Sequence, residues 1–382
     1  MEAYTLTISA LLEKIEFKNQ LKYEEYLKEK GLKREDIEIE KIKNDGISIV
    51  YIEAKVKFID KEYLYFLSEN KLKEIYNESK QSFRPDIESA VIGSTEELSV
   101  DLKQPKDPGE GVKIIIDRIS NLLNINKLDI DYAPKTNHII VEVKSNIKYF
   151  FDFWWEEVSE KNLFVKRIFV NNFDKICIES DFAVMLVSRG GDNITKDIEQ
   201  EIKDFFTLSF VESKRKNLIN KLFIAYFKEK FVLFRRELSI LHIVGHGDEK
   251  HFFYENQHTE DDSSRYGQIS YEDFLKKLLK KKINIINLSF CFSGYNNEVN
   301  SVSLPIMLLD KKITNYVISC KKTINSSFLS KFNQRFYFNF IKQGKTLADA
   351  FYESKNHFED EYKIKYNNQN FKNILSFFER DL

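Results

Sequence analysis

Glycine and proline are scarce in this chain of 382 residues, at 12 and 5 respectively, where average usage is about 7% and 5%. Turn-making residues therefore carry information where they do stand. Four of the 12 glycines, Gly245, Gly247, Gly267 and Gly294, fall in the single window 245–294. Cysteine is scarcer still. Cys177, Cys291 and Cys320 are too few and too scattered for a disulfide framework or a zinc finger, so a reducing, cytoplasmic setting is expected. An excess of one charge is missing as well: 59 Lys and Arg face 60 Asp and Glu, which leaves no global field for nucleic acid or an anionic membrane. No uninterrupted apolar stretch approaches the roughly 20 residues of a membrane-spanning helix. The N-terminus, MEAYTLTISALLEKIEFKNQ, has no basic region and meets Glu13 before an apolar core can form, so no secretory signal is expected.

What is present is ample core-forming material: 42% hydrophobic residues, with 33 Phe and 19 Tyr, enough for two or three domains. The segment 101–111 concentrates Pro105, Pro108, Gly109 and Gly111 and reads as a linker. Before it, Glu38–Glu40 and Ile47–Phe58 alternate like half-buried strands, and Tyr63–Lys80 reads as a helix. After it, Val112–Asn124 looks helical and His138–Val143 strand-like. No chemical motif stands out before about residue 175. The expected organisation is a smaller α/β module over 1–175, with a sub-boundary at 101–111, followed by a larger domain over 176–382.

The larger domain is regular. A continuously apolar run, the mark of a strand buried on both faces, occurs at Phe182–Val187, and further mainly apolar runs at Ile240–Val244, Ile283–Leu288 and Tyr316–Cys320. A weaker strand is read at Leu208–Val211. Helices are read at Thr195–Phe206, within Lys214–Glu237, at Ser270–Lys281, and over about 325–343 and 346–357. Alternation of this kind predicts an α/β fold, a mostly parallel sheet flanked by helices on both faces.

Ligands of such sheets bind beyond the carboxyl ends of the strands. His246 stands just past one apolar run and Cys291 just past the next. A Cys with a His in reach is the minimum for thiol nucleophilic catalysis, because a free thiol with a pKa near about 8.5 is mostly protonated at neutral pH. The imidazole can take that proton and later deliver it to a leaving amine. Gly247 has no side chain to obstruct a substrate carbonyl, so its N–H could join that of Cys291 as an oxyanion hole. Gly294 would let the chain turn away behind the nucleophile. The competing reading of Cys291 is a buried, inert small hydrophobe.

Two motifs, Leu241-His-Ile-Val-Gly-His-Gly247 and Leu288-Ser-Phe-Cys-Phe-Ser-Gly294, together resemble the caspase-like cysteine peptidases of clan CD, and within them the bacterial CHAT group. Tyr266–Phe274 resembles that family's turn into the helix before the cysteine strand, and Phe336–Tyr352 its C-terminal helix pair. The resemblance covers roughly 180–382. It implies a caspase-type fold, His246 as general base and acid, Cys291 as nucleophile, and peptide-bond hydrolysis with neither metal nor cofactor. It also implies a protein substrate and control by an activating partner or ligand acting through residues 1–175, in the setting of bacterial stress or antiphage defence. Where metacaspase-like relatives carry an Asp two residues before the cysteine, this chain has Ser289. Where the family often has Trp after the fifth strand, it has Lys321 and Lys322. Ser289, Lys321 and Lys322 are thus the candidate substrate-pocket residues, and the lysines favour an acidic P1 side chain. The alternative function is an adaptor of the same fold with an unformed site.

Other features read as structural. Cys177 and Cys320 are expected in the core. His242 and His246 sit four strand residues apart, about 13 Å, too far to share a metal, so His242 reads as an inward-packed strand residue. His251 and His258 fall in a polar stretch, Gly247–Gln268, and are expected to be solvated; the stretch reads either as a solvated connection or as a cleft rim. Lys276–Lys282 reads as an exposed helix face, and Trp154-Trp155 as core or interface packing.

Overall fold

The computed structural model describes residues 4–41, 46–58, 61–74, 139–152, 163–170, 176–177, 179, 181–187, 221–226, 233, 235–255, 266–291, 293–294, 302–321, 324, 326–365 and 375–380. These fall into two compact units. One lies within Met1–Val165 and the other within Lys166–Asn296 and Val302–Leu382. The expected linker at 101–111, the helices at 112–124 and 195–206, the strand at 208–211, Trp154-Trp155, His138, His258 and Lys322 lie outside the described residues.

In the first unit, β1 (Tyr4–Phe17) and β3 (Ile47–Phe58) form a long antiparallel pair, in register from Leu6 opposite Phe58 to Phe17 opposite Ile47. The other edge of β3 carries β2 (Glu38–Lys41) and then β4 (Lys61–Leu67), while β5 (Ile139–Ser145) runs parallel to β1. Helix α1 (Gln20–Lys30) starts at Asn19, whose side chain accepts the Lys22 N–H at 3.0 Å. It ends at Gly31 with φ of 70°, a left-handed cap that costs a residue without Cβ little. Tyr23 of α1 packs with Leu32, Ile37, Ile49 and Tyr51 in this unit's core. The expected helix over Tyr63–Lys80 is corrected at its start: residues up to Leu67 are β4, and 69–74, the last described residues here, are helical. Tyr63, Leu64, Tyr65 and Phe66 suit a pleated surface as well as a helix, and the open edge of β3 decides between them by supplying a ladder of backbone partners.

The second unit is built on a sheet in the order β6 (Leu163–Phe169), β15 (Leu375–Arg380), β14 (Thr314–Cys320), β13 (Lys282–Ser289), β9 (Glu237–Val244), β7 (Phe182–Val187) and β8 (Lys221–Tyr226). Every neighbouring pair is parallel except β14 with β15. Leu238–Val244 and all of β7 are buried, as expected of parallel strands covered by helices on both faces. The covering helices include α2 (Tyr271–Leu278), α3 (Leu304–Asp310), α4 (Ser326–Tyr337), which continues into a π turn at Phe338–Lys342, and α5 (Leu347–Lys365). In α2, Ser270 caps the Asp273 N–H at 3.1 Å, and Tyr271, Phe274, Leu275 and Leu278 form one buried stripe at helical spacing. Its Lys276 and Lys277, and Lys280 in the turn that follows, are exposed. The helix expected within Lys214–Glu237 is corrected by β8. Phe223 and Phe182 stack across β7 and β8 with centroids 5.6 Å apart, a pairing available only once β7 presents its edge.

Candidate active site

The ends of β9 and β13 set the geometry. They are adjacent parallel strands, and the last registered pair is Val244 with Ser289. His246 and Cys291 therefore each follow that pair by two residues, at the carboxyl edge of the sheet, on chains about 4.8 Å apart where the ladder ends. Between Val244 and His246 the chain bends at Gly245, whose φ of 151° is a backbone state that residues with Cβ rarely adopt.

His246 and Gly247 then form β10 (His246–Gly247), which pairs antiparallel with β11 (His251–Glu255). β11 in turn pairs with β12 (Tyr266–Ser270). The described residues of this stretch thus belong mainly to a small three-stranded sheet, because Phe252 and Tyr254 alternate inward while Asp248 closes a tight turn. The Asp248 N–H donates to the His251 carbonyl at 3.1 Å, so Gly247, opposite Phe252, occupies a non-hydrogen-bonded position and turns its N–H away from β11. Asp248 also gathers the turn: its Oδ1 accepts the N–H groups of Lys250 (2.7 Å) and His251 (2.6 Å), and its Oδ2 lies 3.3 Å from His251 Nδ1. His251 is accordingly half-buried beside a carboxylate on β11, and its expected place in a solvated loop is corrected.

One aromatic cluster joins this small sheet to the cysteine turn. The Phe252 ring meets Phe290 at 4.6 Å, Phe274 at 4.7 Å and Tyr271 at 5.1 Å, all edge to face. The Tyr271 hydroxyl donates to the Asp248 carbonyl. Burial pushes this phenol well above its usual range, with Asp248, Glu249 and the Cys291 thiol adding to the effect, so it stays a donor. Gly247 lies directly on Phe290: a Cβ there would come within 2.6 Å of the ring and 2.9 Å of the His251 carbonyl oxygen. The two motifs are therefore in contact through the residue after His246 and the residue before Cys291. Gly247→Ala is expected to lower stability by about 1–3 kcal/mol, since neither the wedged ring nor the backbone oxygen can yield freely; a urea unfolding midpoint unchanged from wild type would contradict this packing.

Cys291 is half-buried, and its Sγ lies 3.9 Å from the Ile324 carbonyl oxygen. Burial raises the thiol pKa above its ordinary value, only partly opposed by backbone hydrogen bonds. Below that raised pKa the sulfur keeps its proton. Alkylation of Cys291 by iodoacetamide is therefore expected to be slow at pH 7 and to climb with pH beyond the range of an exposed thiol. Peptide-level mass spectrometry across pH 6–10 checks this, and a plateau reached by pH 8 would refute it. The turn after the cysteine is tied down: Ser293 Oγ donates to the Leu288 carbonyl (3.1 Å) and accepts the Cys320 N–H (2.8 Å), and the Gly294 N–H donates to the Cys320 carbonyl (2.7 Å). A Cβ on Gly294 would meet Ser319 Oγ at 2.4 Å, so a side chain there would require the Ser319 hydroxyl to turn away.

Of the candidate pocket residues, Ser289 is 3% exposed and Lys321 2% exposed. The Ser289 hydroxyl donates to Asn287 Oδ1 (3.2 Å) and accepts from Asn333 Nδ2 (2.8 Å) of α4. Asn287 Nδ2 donates to Asn333 Oδ1 (2.9 Å) and to the Tyr337 hydroxyl (3.2 Å), and that hydroxyl lies 2.9 Å from His242 Nδ1. His242 is buried, in the inward place expected of it. Residue patterns had singled out neither Asn333 nor Tyr337, although Asn287 inside an apolar run was a visible sign of a buried polar layer. Cys320 is buried, with its Sγ 3.9 Å from the Leu288 carbonyl, whereas Cys177 is exposed, which corrects its expected core position. A short Cys-flanking apolar segment does not reveal which side of an element faces inward.

Among the described residues, no group of three or more His, Cys, Asp and Glu side chains could hold a metal ion, and no helix is long and apolar enough to cross a membrane.

No protein-family model matches the chain. Over 294 residues it is 23% identical to the protein Ycf2 of Physcomitrium patens, a match covering 67% of this chain and 12% of that protein, so the chain spans only a small part of that relative's length. Solved structures with a similar course of the backbone include the Arg-specific cysteine proteinase gingipain R (TM-score 0.42, 10% identity, 81% of this chain and 74% of that one). They also include a secreted C11 cysteine protease of Bacteroides thetaiotaomicron (0.33, 13%, 52% and 66%) and the separase–securin complex of Saccharomyces cerevisiae (0.37, 11%, 82% and 23%).

Proposed function

We propose that the second unit is a caspase-like cysteine endopeptidase in which His246 and Cys291 form the catalytic dyad. The observation that carries this reading is the register of β9 with β13, which brings the two residue types that thiol catalysis requires to matching heights on neighbouring strand ends. His246 takes the Cys291 proton, and the sulfur attacks the scissile carbonyl carbon, forming a C–S bond. The tetrahedral oxyanion is received by the N–H groups of Gly247 and Cys291. The C–N bond then breaks as the imidazolium returns its proton to the leaving amine, and water, deprotonated by His246, hydrolyses the thioester. The outward turn of the Gly247 N–H supports its part in this scheme.

By its resemblance to the CHAT group, the enzyme is read as a regulated protease of bacterial stress or antiphage defence that cleaves a specific protein partner. An activating partner or ligand would act through the N-terminal module, residues 1–175. Lys321, at the end of β14, is the cation that would favour an acidic P1 side chain.

One observation favours a second reading, the non-enzymatic adaptor: the thiol faces the Ile324 carbonyl, and burial favours its protonated form. Incubation of the full chain with peptidyl chloromethyl ketones of acidic, basic and apolar P1 separates the two. Covalent capture at Cys291 by any of them, faster than at Cys177, supports the peptidase; no capture at Cys291 above the Cys177 rate supports the adaptor.

A further inference from the structure

Five buried polar side chains lie behind the proposed dyad and are not used by its chemistry. Among Asn333, Ser289 and Asn287 the hydrogen-bond directions follow from donor inventory, because an amide nitrogen can only donate. Asn333 Nδ2 donates to Ser289 Oγ, Ser289 Oγ to Asn287 Oδ1, and Asn287 Nδ2 to Asn333 Oδ1, which closes a ring between β13 and α4. The second Asn287 Nδ2 hydrogen goes to the Tyr337 hydroxyl, which lies 2.9 Å from His242 Nδ1 on β9 and so extends the ring to that strand. All five residues are 3% exposed or less. In such surroundings each lost partner leaves a desolvated group, so the set holds one arrangement rather than many.

The sequence positions of its two ends give this network a consequence. Ser289 stands two residues before Cys291 and His242 four before His246, and Asn287 and His242 are registered partners across the strand pair. The backbone ladder fixes β13 against β9, and the network adds directional bonds from both strands to α4, which an apolar layer would lack. We propose that Tyr337, Asn333, Asn287, Ser289 and His242 are positioning residues, a relay that clamps both strand ends to α4 and so sets the alignment of the Cys291 sulfur with the His246 ring. This assignment rests on the dyad reading and gives Ser289 a task inside the protein.

The test is a double-mutant cycle read as the rate of Cys291 modification by a peptidyl chloromethyl ketone, on full-length protein shown to be folded by its thermal transition. Tyr337→Phe and Ser289→Ala each remove one hydroxyl with almost no change of shape. Each is expected to slow modification about tenfold where His246 is present and to have no further effect in a His246→Ala background, since misalignment matters only while the imidazole is acting. Ser289→Thr, which keeps the hydroxyl, is expected to restore most of the rate lost in Ser289→Ala. Wild-type rates for both folded hydroxyl variants overturn the proposal. So does an equal slowing with and without His246, which would mark a purely structural role. If His246→Ala alone reacts like wild type, the dyad reading itself falls and takes the relay with it. Should Tyr337→Phe fail to fold, the Ser289 pair decides.

Discussion

Cys291→Ala is expected to abolish both covalent capture and proteolysis of the native substrate, and His246→Ala to reduce proteolysis by about 10²–10⁴-fold at pH 7, the contribution usual for a positioned general acid–base. The asymmetry follows from the chemistry. Without sulfur there is no acyl-enzyme. Without imidazole the thiol remains, but burial holds it protonated, so only a small thiolate fraction can attack and no group protonates the departing amine. Raising the pH should recover part of the loss in His246→Ala, because hydroxide then does what the ring did for the attacking step, while leaving-group protonation stays absent. Proteolysis by either variant at the wild-type rate would mean that the register of β9 and β13 is only architecture.

Phe252→Ala is expected to cost about 3–5 kcal/mol of stability, the range for deleting a fully buried aromatic side chain. Its ring is 0% exposed and touches Tyr271, Phe274 and Phe290, so no neighbour can move into the space without leaving another contact. The position also has a functional side. Phe252 on β11 pairs with Gly247 on β10 and supports the ring that precedes Cys291, so its loss should loosen the seat of His246 against the cysteine turn. Chemical unfolding followed by circular dichroism gives the stability term. A loss below about 1 kcal/mol would show that the cluster can collapse around the gap.

Much of this was legible in the residues because strands leave a trace in sequence, an apolar run where both faces are covered and an alternation where one is. Phe182–Val187 and Ile47–Phe58 coincide with the observed β7 and β3, and β9, β13 and β14 differ from the apolar runs only at their ends. Patterns failed where a segment's composition suits two structures and an edge chooses between them, as at β4 and β8. They also failed for Cys177 and His251, where exposure and partners depend on how the chain returns on itself.

The sequence alone singled out the candidate pair: a histidine and a cysteine each placed after an apolar run, flanked by a third of the chain's few glycines. Local spacing suffices for that, because the strand period and the glycine backbone are properties of adjacent residues. Only the tertiary structure decided that β9 and β13 are neighbours in a register that levels His246 with Cys291, that Gly247 rests on Phe290, and that α4 supplies Asn333 and Tyr337 behind them. Those are contacts between segments some 40 to 100 residues apart. They are set by which buried surfaces and polar groups find partners when the chain packs, and a one-dimensional pattern does not record that choice.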